Sequence, residues 1–340
     1  MRSGVGRGLF GLAVYPLALV LLVLVASAGY ASPIAPLAPS ANRLSAAAPA
    51  TPLATIVPTP APPVQTLLAP SAWDQLVADL NATAARSGGR VSLSLRELSG
   101  PGRASLSLNG GLSFYAASTY KLPLLMAEAQ QIAGGQLSGS DRLCFTPSDY
   151  EDGWFSDYAP GSCFTRNELA LRAGRYSDNT AAHILVRYLG GVGALNAYAR
   201  SIEMSSSALW LPNTTTADDL TNAWTNEALG RLGGAAAQQW LYPLLTHTAF
   251  EQGIPHGLPS GAMVVHKVGW MNGTELDSAY VRSGGIAYVL SAAIDGVDDN
   301  RGWSVIAQLS ARVWQYESSR PGYAPAVTVP PVTTPRANRY

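Results

Sequence analysis

Four kinds of residue are scarce in this chain, and each scarcity excludes something. Among 340 residues there are two cysteines, two lysines, four histidines and only 13% charged side chains, with a formal net charge of zero. A chain without net basic charge carries no electrostatic case for binding nucleic acid, which calls for a basic patch. The histidines (His183, His247, His256, His266) are scattered, and neither cysteine lies in a C-x-x-C or Cys/His cluster, so no zinc site and no other metal is implied. Cys144 and Cys163 stand 19 residues apart, and in an exported chain an isolated pair is most simply one disulfide. The lysines are the sharpest scarcity. The other twenty of the 22 basic residues are arginine, which stays charged in any protein environment, whereas a buried lysine can lose its proton and act as a base. Lys121 closes Ser118-Thr119-Tyr120-Lys121 and Lys267 opens Lys267-Val268-Gly269.

What is abundant describes compartment and organisation. Arg2 and Arg7 precede an apolar run from Leu9 to Ala28 that ends in Ala26-Ser27-Ala28, so residues 1–30 read as a signal peptide or a membrane anchor. The run is just long enough to span a bilayer; Pro16 and the small-residue ending favour cleavage. The protein is therefore expected outside the cytoplasm, extracellular or periplasmic, or anchored to the outer face of the cytoplasmic membrane. The membrane would then be touched only through that N-terminal segment. Residues 31–70 are Ala, Pro, Thr and Ser with almost no charge, a composition that forms an extended linker rather than a core. Residues 319–340 read as a disordered proline-rich tail, which leaves residues 71–318 for one catalytic domain.

Within that domain Trp73 to Ala85 has helical spacing, while Val91 to Leu95 and Ala104 to Leu108 alternate as strands do. Helical patterns dominate from Ser118 to about Leu245. Thr165-Arg166-Asn167-Glu168 reads as a capping box, and Thr180 to Leu189 as a helix stopped by Gly190-Gly191. Strands return at Met263 to Val268, Ser278 to Arg282 and Ile286 to Ile294, before a last amphipathic helix from Trp303 to Tyr316. This order suits an α+β fold whose mostly antiparallel sheet is built from both chain ends around a helical insertion.

Three short motifs carry chemistry. If a helix begins at Ser118, the i, i+3 relation sets the Lys121 amine beside the serine hydroxyl. Serine needs an adjacent base to become nucleophilic, and a lysine serves only if its pKa falls by about 3 units. The bland reading is a serine N-cap with a snorkelling lysine. Ser177-Asp178-Asn179 follows 59 residues after Ser118, before a helix; Asp and Asn there are also ordinary caps and turn residues. His266-Lys267-Val268-Gly269 lies on a strand, so Lys267 and His266 face opposite ways. His266 then reads as structural, Lys267 as facing the site, and Gly269 as a place where a substrate backbone could approach the strand edge. A surface lysine on an edge strand is the alternative.

Taken together, in this order, the three motifs resemble those of the active-site-serine penicillin-recognising enzymes, and among them the class A β-lactamases. The resemblance runs from about Trp73 to Glu317 and includes Asn213-Thr-Thr-Thr-Ala-Asp-Asp-Leu220, which is similar to the family's entry to the helix after its omega loop. It implies an antiparallel five-stranded sheet flanked by helices beside an all-helical subdomain. It also implies Ser118 as the acylated nucleophile, Lys121 as its base, Ser177 as proton shuttle and Asn179 as a ligand for the substrate acylamide. Lys267 would stay charged, meeting a substrate carboxylate and lowering the pKa of Lys121. The backbone N–H groups of Ser118 and Trp270 would form the oxyanion hole. No cofactor is implied, the expected ligand is a β-lactam or a D-Ala-D-Ala-like peptide, and a monomer is expected.

Two departures bear on mechanism. Val268 stands where the family has a hydroxyl residue. The segment from Glu203 to Pro212 lacks the omega-loop glutamate that activates the deacylating water, and Glu203 is its only carboxylate. Acylation is thus better furnished than deacylation. The main expectation is a β-lactamase with another way of activating water; the alternatives are a D,D-peptidase or esterase, or a sensor that acylates and stalls. Between Cys144 and Cys163, Tyr150, Trp154, Phe155 and Tyr158 are expected to pack as a small satellite core, with an aromatic wall for substrate as the alternative.

Overall fold

A computed structural model describes residues 70–100 and 102–320. The expected leader, nearly all of the linker and the tail from residue 321 lie outside the described residues. Helix α1 (Ala72–Arg86) opens the domain on a capping box: the Ser71 hydroxyl accepts from the Asp74 amide, and the Asp74 carboxylate accepts from the Ser71 amide. Strands β1 (Arg90–Glu97) and β2 (Ser105–Leu108) follow, then the two-residue β3 (Phe114–Tyr115). The middle of the chain supplies α2 (Lys121–Ala133), the short pair β4 (Arg142–Cys144) and β5 (Cys163–Thr165), α3 (Arg166–Arg175), α4 (Asn179–Leu189) and α5 (Val192–Ser201). After β6 (Thr214–Thr215) come α6 (Ala217–Ala228) and α7 (Gly234–Leu241). Strands β7 (Met263–Met271), β8 (Thr274–Ser283) and β9 (Ile286–Asp295) and the long α8 (Asp299–Ser319) close the domain.

The main sheet has the order β2-β1-β9-β8-β7 and is antiparallel throughout, so both chain ends build it and β7 is an edge. The α+β class and the five-stranded sheet are as expected. Its last three strands are longer than the sequence pattern suggested. β7 and β8 run on to a two-residue turn, Asn272-Gly273, whose positive φ values of 54° and 72° match the twist of a tight hairpin.

One face of the sheet is the expected apolar one. Val91, Leu93, Leu95, Leu290 and Ile294 pack there against Leu76 and Leu80 of α1 and Val305, Ile306, Leu309 and Val313 of α8. The other face carries the serines of the alternating run, and it is buried too. Thr221 of α6 donates to the Ser94 carbonyl at 3.2 Å and pairs with Ser291 at 2.8 Å, Ser278 meets Ser291 at 2.7 Å, and the Trp224 indole donates to the Ser278 carbonyl. Small hydroxyl residues let α6 lie close to the sheet while satisfying one another.

The helical half surrounds α2, whose Leu122, Leu124, Leu125 and Met126 are fully buried among residues of α3, α4 and α6. Only half of the expected capping box forms at α3. The Thr165 hydroxyl accepts from the Glu168 amide, but the Glu168 carboxylate turns to Arg172 at 2.7 Å instead. Helix α4 is capped by Asp178 and ends at Gly190 in the left-handed conformation, as the Gly-Gly pair suggested.

Cys144 and Cys163 face each other across the β4–β5 pair and form the expected disulfide. It closes the loop that carries Tyr150 to Tyr158. Chain-entropy arguments for a loop of this size give about 3 kcal/mol of stability. Urea unfolding of a Cys144→Ser/Cys163→Ser variant is expected to show a loss of that order; an unchanged midpoint would mean the loop is ordered without its bridge.

Candidate active site

The site begins at a turn rather than at a helix start. Ser118 lies in a 3₁₀ segment, Ala117–Tyr120, and α2 begins only at Lys121. With three residues per turn, positions i and i+3 stack directly, and Lys121 Nζ sits 2.9 Å from Ser118 Oγ. The residue before the serine, Ala117, has φ 44°, a costly conformation for a residue with a Cβ. Asn213 holds the turn in place: its carbonyl accepts from the Ala116 amide at 2.7 Å, and its Nδ2 donates to the Ala117 carbonyl at 3.2 Å.

Ser177 and Asn179 arrive from the start of α4. Lys121 Nζ is 2.6 Å from the Ser177 carbonyl and 3.3 Å from Ser177 Oγ, and it also contacts Asn179 Oδ1. Lys267 enters from β7, donating to Ser177 Oγ at 3.0 Å and to the Val268 carbonyl at 2.9 Å. The structure thus joins Ser118, Lys121, Ser177, Asn179 and Lys267 into one hydrogen-bonded chain. Both lysines are buried. Burial first, then repulsion from Lys267, hold the Lys121 amine well below its ordinary pKa, against the opposite pull of Asp178 and Glu151. Burial also lowers Lys267, to about 7, with Asp277 pulling the other way. In its charged form Nζ donates to the Ser177 carbonyl, Asn179 Oδ1 and Ser118 Oγ; once neutral it keeps two donors for the first two and turns its lone pair to the Ser118 hydroxyl.

Gly269 has a reason within the protein itself. A Cβ there would stand 2.6 Å from the Ala116 carbonyl and 3.0 Å from the Ser118 amide nitrogen. The bare Cα therefore lets the serine turn lie against β7. Trp270, the next residue, lines the cleft with Met271. Val268 is buried, leaving no hydroxyl at that position.

A cleft of about 490 Å³ opens over Ser118, Ser177 and Asn179. Glu203 does not line it: it follows α5 with φ 71°, and its carbonyl accepts from Asn222, so it is no replacement base. The carboxylates bordering the cleft are Glu151, Asp152 and Asp178, none of them from the segment 203–212. Sequence reasoning missed Glu151, which comes from the disulfide loop and accepts from Asn179 Nδ2. It also missed His183, one turn after Asn179 on α4, and Trp210, which packs edge-on against Tyr120 and at a tilt against His183. The spacing of Asn179 and His183 was the only available signal, and i, i+4 pairs are common on any helix. The aromatic cluster divides. Phe155 and Tyr158 pack around Arg172, whereas Trp154 is 60% exposed and lines the cleft.

His266, on the opposite face from Lys267, is structural as expected. Its Nδ1 meets Asp277 Oδ1 at 2.9 Å and its Nε2 meets Glu251 at 3.2 Å. Burial opposes its charge, but the two carboxylates outweigh burial and raise its pKa to about 9. A raised histidine pKa stabilises the fold fully below about pH 6.5, and that contribution is lost as pH rises through 9. The advantage of wild type over a His266→Gln variant is therefore expected to shrink by about 3 kcal/mol between pH 6.5 and 9.5 in urea titrations. A pH-independent difference would mean the imidazole is neutral throughout.

A family model described as the beta-lactamase enzyme family matches residues 75–317. The chain is 30% identical over 200 residues to Beta-lactamase OXY-2 of Klebsiella oxytoca, a match covering 54% of this chain and 68% of that protein. It is 38% identical over 128 residues to a beta-lactamase of Rhodobacter capsulatus, covering 36% of this chain and 41% of the relative, less than half its length. Among solved structures, PBP-A is similar at 26% identity and a TM-score of 0.66, covering 71% of this chain and 95% of that one. A PBP-A mutant with the same scores is an acyl-enzyme complex with penicillin G. An ancestral class A beta-lactamase is similar at 27% identity and a TM-score of 0.63, covering 71% and 99%.

Proposed function

Because the chain belongs to the beta-lactamase enzyme family, we propose that it is a serine hydrolase that opens β-lactam rings through an acyl-enzyme on Ser118. The observation that carries this reading is the contact between Ser118 Oγ and a lysine whose pKa burial holds well below its ordinary value. Ser118 attacks the lactam carbonyl as its proton passes to Lys121. Backbone N–H groups of Ser118 and Trp270 hold the developing oxyanion. Ser177, within 3.3 Å of Lys121 Nζ and 3.0 Å of Lys267 Nζ, returns a proton to the departing ring nitrogen. Asn179 binds the acylamide, and Lys267 supplies what positive charge the site offers a substrate carboxylate. The predicted leader and the Cys144–Cys163 disulfide support an exported protein.

Water activation is the slow half of this cycle. No carboxylate of the segment 203–212 borders the cleft, so the acyl-enzyme is expected to outlive its formation. The same observation favours a second reading, acyl transfer from a D-Ala-D-Ala-like peptide with β-lactams acting as stalling inhibitors. Incubation with a chromogenic cephalosporin followed by intact-mass measurement separates them. Catalytic hydrolysis with a transient adduct supports the β-lactamase, and a permanent adduct without turnover supports the peptidase. A protein that shows neither adduct nor hydrolysis is not a β-lactam-recognising enzyme.

A further inference from the structure

The acyl end of the cleft carries carboxylates on its rim. Glu151, whose side chain is 49% exposed, and its neighbour Asp152 stand on the rim. Among the described residues none of those lining the cleft is an arginine or lysine; Lys121 and Lys267 lie beneath its floor, bonded to Ser118, Asn179 and Ser177. Behind the rim, Asp178 is 2% exposed: its Oδ1 accepts from the Tyr158 hydroxyl and the Ala181 amide, while its Oδ2 has no hydrogen-bond partner. That unpartnered oxygen sits under Gly153, where a Cβ would stand 3.2 Å from it.

A second mismatch lies on the other side of Glu151. Its Oε2 is 3.5 Å from His183 Nε2. His183 Nδ1 lies 2.9 Å from the Asp149 carbonyl, which can only accept, so Nδ1 carries the proton. Burial holds the imidazole below its ordinary pKa and towards its neutral form. A neutral imidazole protonated on Nδ1 presents a lone pair at Nε2. Two acceptors then face each other with no donor between them. The Trp210 ring, 4.7 Å from His183 and lining the cleft, adds a π surface, which attracts cations.

We propose that this rim is a subsite for a cationic amine on the acyl side of the substrate. The proposal rests on the serine acyl-enzyme reading, because it takes Asn179 as the partner of the substrate acylamide. In the free protein the Asn179 Nδ2 that would donate to that acylamide is held by Glu151. An ammonium next to the acylamide supplies Glu151 with a donor in exchange and releases Asn179 to the substrate. An uncharged acyl group has to break the same bond and leaves the Glu151 carboxylate without that partner. The preferred acyl donor therefore carries an ammonium close to its acyl carbonyl.

Two penicillins that differ only by an ammonium on the acyl side chain, ampicillin and penicillin G, test this. The probe is the second-order rate of adduct formation on Ser118, followed by intact mass. At low ionic strength ampicillin is expected to acylate wild type about tenfold faster, with the preference shrinking in 1 M salt as the charges are screened. In Glu151→Gln the ratio should fall to near one, and in Glu151→Lys it should reverse. Equal rates in wild type, or a preference that survives Glu151→Gln, overturn the subsite while leaving the acyl-enzyme reading intact. If neither penicillin forms an adduct, that reading fails and the subsite with it. Should the Glu151 variants not fold, the wild-type ratio and its salt dependence decide alone.

Discussion

Lys121→Met should keep the fold and lose acylation of Ser118 by on the order of 10³-fold, the usual scale for removing a positioned general base. The lysine is fully buried and pays desolvation in its charged form, so an uncharged, unbranched side chain of similar length fits its channel. Against that gain, the Ser177 carbonyl and Asn179 Oδ1 each lose a donor, and the net stability change is expected within about 2 kcal/mol. Lys121→Arg is the complementary variant, since a guanidinium keeps its proton and cannot accept one. Stopped-time intact-mass measurements with a penicillin, alongside urea unfolding, give both quantities. Acylation within tenfold of wild type in either folded variant would show that lysine is not the base.

The pH profile carries the same logic further. Only neutral Lys121 can take the serine proton, so acylation rises with pH through the Lys121 pKa and falls away below it. Lys267 contributes to holding that pKa down by repulsion, while Asp178 and Glu151 pull the other way. Removing the Lys267 charge with Lys267→Met leaves the two carboxylates less opposed. The acid limb should therefore move to higher pH, in addition to any loss of substrate binding. A limb that stays in place would mean Lys267 has no part in setting the Lys121 pKa.

Gly269→Ala should be nearly as damaging although it adds one methyl group and touches no titratable residue. The new Cβ meets the Ala116 carbonyl at 2.6 Å and the Ser118 and Thr119 amides at 3.0 Å. These are backbone atoms of a turn already held by Asn213, so they cannot rotate out of the way as a flexible side chain would. Relief requires β7 and the serine turn to separate, and that separation moves Ser118 relative to Lys121 and to Trp270. Displacements of this kind cost about 10²-fold in rate, and the overpacking itself costs about 1–3 kcal/mol of stability. Acylation kinetics and thermal unfolding on the same preparation separate the two effects. Wild-type acylation in Gly269→Ala would mean the turn and the strand are not rigidly docked.

Some of this could be seen without coordinates. The two lysines stood out because arginine had replaced lysine everywhere else, and deprotonation is what arginine cannot do. Alternation placed Lys267 and His266 on opposite faces, since strand side chains alternate by covalent geometry alone. Helix α4, its Asp178 cap and its Gly190 stop were legible because caps are local. A mostly antiparallel sheet followed from strands at both chain ends, and the family resemblance implied its five strands.

Other features were decided only by tertiary contact. The alternation of β1 did not show what lies over its serines, and α6 covers them, because a helical subdomain inserted between strands buries the second face of the sheet. The lowering of Lys267 to about 7 could not be read locally, because desolvation depends on what surrounds an amine in space. Glu151 was invisible for the same reason. It lies 28 residues before Asn179, in a loop whose path is set by the Cys144–Cys163 bridge and by packing on Arg172. Local sequence determined which residues could do chemistry and which way their strands and helices turned them. Long-range packing determined how much charge those residues keep and which carboxylate reaches the cleft, because dielectric environment and loop trajectory are properties of the assembled fold.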